Sequence, residues 1–370
     1  MMALDRLFNV ARKEFSDHIT SRRFIIILGL LLVISTISIY DGIENYNNSL
    51  EAYTEQLQQM QEFDDPYRSW MPEKPSIMYV FISMMSYMTM LGGILAIAIG
   101  FDLVSKEKET RSLKSLLSHP VYRDEIINGK ALGGVAALGF AMALALAIAL
   151  GLLLIFSIVP TLEEFAAILI FGAVSLGFLL AYFAVALTMS TAAKESGNAL
   201  IYTLVIFFAV SSLLPMFGMM AANAFAGDPP EPPEMGPMQK EVVRTAGNGY
   251  TVSTSSQSVI YGGTEDPAWK AYEEEMQNYI EKRRFINDIS NLLSPQMNYY
   301  TVAIAVTQPQ VMAIMDAPAM VGAPYGMAPE EKPGLADALG RVWMNIAALI
   351  VFPSVFFAAT YVKFMRMDIR

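Results

Sequence analysis

Six stretches of the chain run without an Asp, Glu, Lys or Arg: Phe24–Tyr40, Ile77–Phe101, Ala131–Val159, Phe165–Met189, Ala199–Ala222 and Val342–Val362. A helix needs about 20 predominantly apolar residues to cross the hydrocarbon core, so each run reads as a span, the first being the shortest. Pro215 and Pro353 fall inside the fifth and sixth runs. Kinks are expected there, because neighbouring helices can take up the freed backbone groups. Ahead of the first run, Leu4, Leu7, Phe8, Ala11, Phe15 and Ile19 recur at helical spacing, with Arg6, Arg12, Lys13 and Asp17 on the other faces. That pattern predicts an amphipathic helix in the headgroup plane, serving as an anchor or as a partner contact.

The polar segments between the runs differ in kind. Phe101–Lys130 is a block of charge after the second run. Within it Ser105–Leu117 is compatible with a helix, Pro120 should end it, and Arg123–Lys130 predicts a second short helix with Asp124 and Glu125 in its acidic first turn. Two helical pieces around a proline suggest a docking elbow. The fourth connection, Ser190–Asn198, is short and holds Lys194 beside Glu195. The fifth, 223–341, is long enough for a domain. Asp228–Pro237 reads as an extended linker and Tyr250–Ile260 as a strand or hairpin arm. Pro267–Leu293 reads as a helix with Trp269, Tyr272, Met276, Tyr279, Ile286, Ile289 and Leu293 on one stripe, stopped by Ser294-Pro295. Tyr299–Val306 is apolar but too short to span, and Ala317–Pro333 should be irregular. The expectation is a small, partly ordered cap.

Charge sets the orientation. Basic residues near span ends mark the cytoplasmic side. They gather in the N-terminal segment (Arg6, Arg12, Lys13, Arg22, Arg23), in the block after the second run (Lys106, Lys108, Arg111, Lys114, Arg123, Lys130) and in the tail (Lys363, Arg366, Arg370). The first, third and fifth connections are acidic. The alternation puts both termini inside and the segment 223–341 outside. The sequence Arg22–Ile39 resembles a signal peptide, but no small-residue cleavage site follows it, and cleavage is disfavoured.

Composition narrows the chemistry. Of 370 residues 54% are hydrophobic and 16% charged, and the net charge of −10 argues against a nucleic-acid-binding face. With no cysteine, disulfides, thiolate metal sites and cysteine catalysis are excluded. No GxxxxGK[ST] phosphate loop, HExxH or GxSxG occurs, so no catalytic or ATP site is expected. His18 and His119 are expected at the surface. The spans lack the acidic or basic residues of proton relays and ion sites, which disfavours a secondary carrier. Methionine is abundant at 25, clustered at Met84–Met90 and Met216–Met220. Thioethers bind Cu(I), yet gap-filling in apolar packing is the simpler role.

Three segments carry a family likeness. They are Ala11–Phe15 (ARKEF), Glu107–Lys130 (EKETRSLKSLLSHPVYRDEIINGK) and Asn291–Tyr300 (NLLSPQMNYY). With the six runs, they resemble permease subunits of ABC transporters of the type-2 export family, most of all the branch of nitrous-oxide-reductase maturation. Arg111 stands where that family usually has Gly. The resemblance implies a half-transporter that pairs with a second permease, as a homodimer or with a sister chain, and two ATPase subunits that bind ATP and Mg in its place. It implies ATPase contacts at Ser105, Lys106, Glu107, Lys108, Glu109, Arg111, Lys114, His119 and Arg123, with a smaller one at Lys194 and Glu195. It places Arg12, Lys13, Glu14 and Phe15 on an interface helix. No cofactor is implied on the chain itself.

The reading is an all-α polytopic membrane protein with six transmembrane helices. An amphipathic N-terminal helix occupies 1–23, helices one to five and a cytoplasmic coupling region at 102–130 occupy 24–222, an extracellular α/β or mostly helical cap occupies 223–341, and the last helix with its tail occupies 342–370. Trp269, Tyr272 and Tyr279 are candidate contacts of the cap. The function expected is that of the permease of an ATP-driven exporter in the cell membrane, moving an unidentified cargo. The competing reading is a membrane-anchored scaffold whose outer domain binds or assembles an envelope component.

Overall fold

The chain folds into helices. The computed structural model describes residues 2–62, 74–112, 122–233, 267–311 and 334–367, and no strand occurs among them. The expected strand at Tyr250–Ile260, the segment Ala317–Pro333 and most of the linker after Pro233 lie outside the described residues. Among the described residues six helices are long and apolar enough to cross a membrane.

α1 (Met2–Thr20) and α2 (Arg22–Glu62) follow each other with Ser21 between them. The Ser21 hydroxyl donates to His18 O and accepts the Phe24 N–H, which caps the start of α2. α2 does not stop at Tyr40 as the apolar run does. It continues unbroken for 41 residues. Its buried positions Ile39, Ile43 and Tyr46 carry the apolar stripe past the run, and α2 packs there on the start of the second crossing, with Gly42 against the Val80 backbone. That stripe keeps the polar half of α2 helical.

The second crossing joins a 3-10 turn (Ile77–Tyr79), α3 (Val80–Tyr87), a π-helical turn (Met88–Gly92) and α4 (Gly93–Gly100). Met84, Met85 and Met88 are buried in its packing, as gap-fillers would be. α5 (Ser105–Glu109) follows after one turn. α6 (Arg123–Ile155) is a single helix that absorbs the second short helix expected at Arg123–Lys130. α7 (Leu162–Ala192) is the most enclosed crossing, with Phe171, Phe178, Tyr182 and Phe183 fully buried. The fifth crossing is α8 (Ser196–Phe208), a π-helical turn (Ala209–Leu213) and α9 (Leu214–Ala226). Pro215 lacks the N–H that an α-turn needs there, and the π turn precedes it directly.

α10 (Pro267–Leu292) and α11 (Pro295–Thr307) form a hairpin, capped at its turn by Ser294 with Pro295 in the first helical position. The Ser290 hydroxyl donates to Leu214 O at 2.7 Å and sits in the notch left by Gly218. α10 ends two residues later yet packs along α9, so it must run antiparallel to it. The turn reaches into the middle of the bundle, where the Gln296 backbone meets the Tyr182 hydroxyl. α11 then runs back against α7, with Tyr299 wholly buried, stacked on Phe178 at 4.7 Å and bonded to Ser175 at 3.1 Å. Asn345 donates to Asn298 at 2.9 Å and ties the hairpin to the last crossing. α11 contains the apolar segment Tyr299–Val306. The segment is too short to span, as expected, and it packs inside the bundle through Tyr299 and Val302–Val306, while Tyr300 is exposed. α12 (Leu335–Arg341) and α13 (Trp343–Met365) complete the chain, and α13 carries Pro353 without breaking.

Candidate functional site

At one end of the bundle α1, α5, the first turns of α6, the α7–α8 connection and the end of α13 come together. The amphipathic helix forms as the pattern predicts, but it does not stand across the bundle. Arg6 meets Glu125, Val10 meets Gly129, Glu14 meets Gly133, and further along Tyr40 meets Phe156. The pairs advance together, so α1 and α2 both run alongside α6 in the same direction. Gly129 and Gly133 permit this closeness, because a Cβ at either would stand 2.4 Å from Val10 Cγ1 or 2.6 Å from Glu14 Cβ. Phe15 packs edge-on to Phe140, while Phe8, Arg12 and Lys13 are exposed.

Lys130 stands between those glycines and is 2% exposed. Its Nζ reaches Glu14 Oε1 at 3.0 Å and Glu107 Oε1 at 2.7 Å. One cation thus joins α1, α5 and α6. Removing one partner of such a buried group costs about 3–5 kcal/mol, because it leaves charge without water or counter-charge. A second pair, Arg6 with Glu125 at 3.0 Å, holds the other end of α1, and Arg6 also lies over the Tyr122 ring at 5.2 Å. Glu125 Oε2 accepts the Tyr122 N–H at 3.1 Å and so caps α6. Arg23 pairs with Asp102 where the first two crossings end.

α5 has five residues, and four of them are bound elsewhere. The Ser190 hydroxyl accepts the N–H groups of Val104 and Ser105, each at 3.0 Å, and caps α5 from α7. Glu107 holds Lys130. Lys108 Nζ donates to the carbonyls of Thr191 and Ala193, the usual place for a cation at a helix C-terminus. Glu109 Oε2 accepts from the Ser196 N–H at 3.3 Å and its hydroxyl at 3.0 Å, at the start of α8. His18 is half-buried beside Glu14 and Lys130, and its Nε2 has no hydrogen-bond partner among the described residues.

The expected contact residues therefore divide. Lys106, Arg111, Lys194 and Glu195 are exposed. Arg123 is half-buried and donates to Met367 O at 2.9 Å. Ser105, Glu107, Lys108, Glu109 and Glu14 serve internal bonds. Lys114 and His119 lie outside the described residues. The helix expected over Ser105–Leu117 ends at Glu109, because Arg111 adopts a left-handed φ of 56°. Trp269 and Tyr272 sit edge-to-face at 5.8 Å on α10, half-buried with Tyr279, far along the chain from this cluster. Sequence reasoning missed Lys130 as the hub, and Arg6, Arg23, Asp102, Glu125 and Ser190 as its supports. The available signal was a lysine inside a Gly-x-x-x-Gly spacing, a poor place for a solvated charge.

The sequence matches a family described as ABC-2 family transporter protein over residues 8–369. No curated protein matches it. The match takes in all six crossings, the buried-charge cluster and the hairpin, and the chain accordingly belongs to the ABC-2 family of transporter proteins, as a multi-pass membrane permease of an ABC transporter.

Proposed function

We propose that this chain is the membrane half of an ATP-driven exporter, with the end that carries α1 and α5 in the cytoplasm. Two ATPase subunits bind there, two permease copies form the pathway, and ATP with its Mg stays on the ATPases. The chain itself carries no catalytic site in this reading. The observation that carries it is α5. A five-residue helix is far too short to be stable alone. Here it is bonded to α6, α7 and α8 while Lys106 faces outward. Such an element suits receiving a push and passing it inward.

The docking surface combines Lys106, Arg111, Lys114, His119 and Arg123 with Lys194 and Glu195. Lys108 drops out of it, because its ammonium is spent on α7. Exposed ion pairs are worth about 0–1 kcal/mol each, so several must be changed together. Reversing Lys106, Lys114 and Lys194 to Glu should strip the ATPase from the purified complex while the permease stays in the membrane. Undiminished co-purification of the ATPase would remove this surface from the proposal.

A further inference from the structure

α5 is tied to the bundle by two unlike sets of bonds. Towards α7 and α8 there are several, made by a hydroxyl, two carbonyls and a carboxylate: Ser190 to Val104 and Ser105, Lys108 to Thr191 and Ala193, Glu109 to Ser196. Towards α6 and α1 the polar tie among the described residues is Lys130, held between Glu107 and Glu14. α1 packs on α6 through Gly129 and Gly133, on either side of that same lysine, so it follows wherever α6 goes.

We propose that Lys130 is a positioning residue that divides the motion of α5, so that α6 and α1 move with the ATPase only while this one ammonium bridges Glu107 and Glu14. The inference rests on the exporter reading above. The physical reason is stiffness. An ammonium between two carboxylates, enclosed by protein, resists displacement in both directions, whereas the surrounding apolar contacts can slide. Cutting the tie should leave α7 and α8 responsive, because their bonds to α5 are separate.

Reporter cysteines test this cleanly in a chain with no native cysteine. Ile155→Cys reports on the far end of α6, and Phe225→Cys on the far end of α9, the continuation of α8; both side chains are exposed. Labelling by a membrane-impermeant maleimide is followed on the full complex with its ATPase, with and without ATP and vanadate. Lys130→Met alone leaves two carboxylates facing each other and can unfold the cluster. The test variant is therefore Lys130→Met with Glu14→Gln and Glu107→Gln, which keeps size and removes charge. The expected result is loss of the nucleotide effect at position 155, its retention at 225, and retention at both in Lys130→Arg. A merely structural role would abolish both together, and that outcome overturns the inference. Retention at both in the neutral variant also overturns it. Failure of both reporters to respond in the otherwise unaltered complex would instead sink the exporter reading, and this inference with it.

Discussion

Arg111 holds a φ of 56°, a conformation that brings a Cβ against the carbonyl oxygen and costs about 1 kcal/mol or more. It ends α5 where a helix commonly ends on glycine. The Gly that the resemblance leads one to expect at this place would adopt the same φ without that cost. Arg111→Gly should therefore stabilise the chain by about 1 kcal/mol, read as a higher thermal midpoint of the purified protein; a lower midpoint would show that the arginine side chain contributes more than its backbone costs. His18 sets a pH dependence. Burial is the largest influence and holds its pKa below the ordinary 6.5, with Lys130 acting the same way and Glu14, Asp102 and Asp17 opposing. A histidine lowered on folding contributes stability that is complete above 6.5 and is lost as the pH falls from there towards the folded value. The thermal midpoint should drop on going from about pH 7.5 to about pH 5.5, and His18→Asn should flatten that slope. Parallel slopes for the two proteins would put the titrating group elsewhere. At this scale the sequence showed which residues carry charge but not where each points. Lys106 and Lys108 are alike on paper. One faces outward and the other caps α7, a difference decided by the tertiary position of Thr191 and Ala193.

Among the elements, the crossings were legible because length and the absence of charge determine them. The hairpin was not. α10 and α11 together are mixed in character, and nothing local says that a polar-faced helix with a short apolar successor re-enters the bundle. Its seat is the contact between Ser290 and Gly218, where a Cβ on the glycine would stand 2.1 Å from Ser290 Oγ and 2.2 Å from its Cβ. Gly218→Ala should therefore cost about 1–3 kcal/mol by overpacking. Ser290→Gly in the same chain should restore much of the loss by clearing the notch. If the double variant is no more stable than Gly218→Ala alone, the two helices do not meet in this way. The π turns belong to the same scale. The one before Pro215 follows from the missing N–H. The one at Met88–Gly92 has no proline behind it, and its neighbours, Gly92 against Met88 and Phe178, and Gly93 against Tyr182 and Phe207, were not deducible from the sequence.

The whole molecule has one end rich in bonded charge and another where α2 and α10 extend. With the charge-rich end in the cytoplasm, cysteines placed at Glu55 and Glu274 should label from outside intact cells, and one at Lys106 only after the cells are opened. Labelling of position 274 only in opened cells would reverse the orientation. The six crossings were readable from the apolar runs, but the extent of α2 was not, since its second half resembles a polar loop. At about 1.5 Å per residue the helix is about 60 Å long, twice the hydrocarbon thickness of about 30 Å. It is a rigid pointer fastened at its base. A tilt of about 10° about that base would sweep the far end through about 10 Å, so a rearrangement too small to notice within the membrane becomes an easily measured displacement at Glu62.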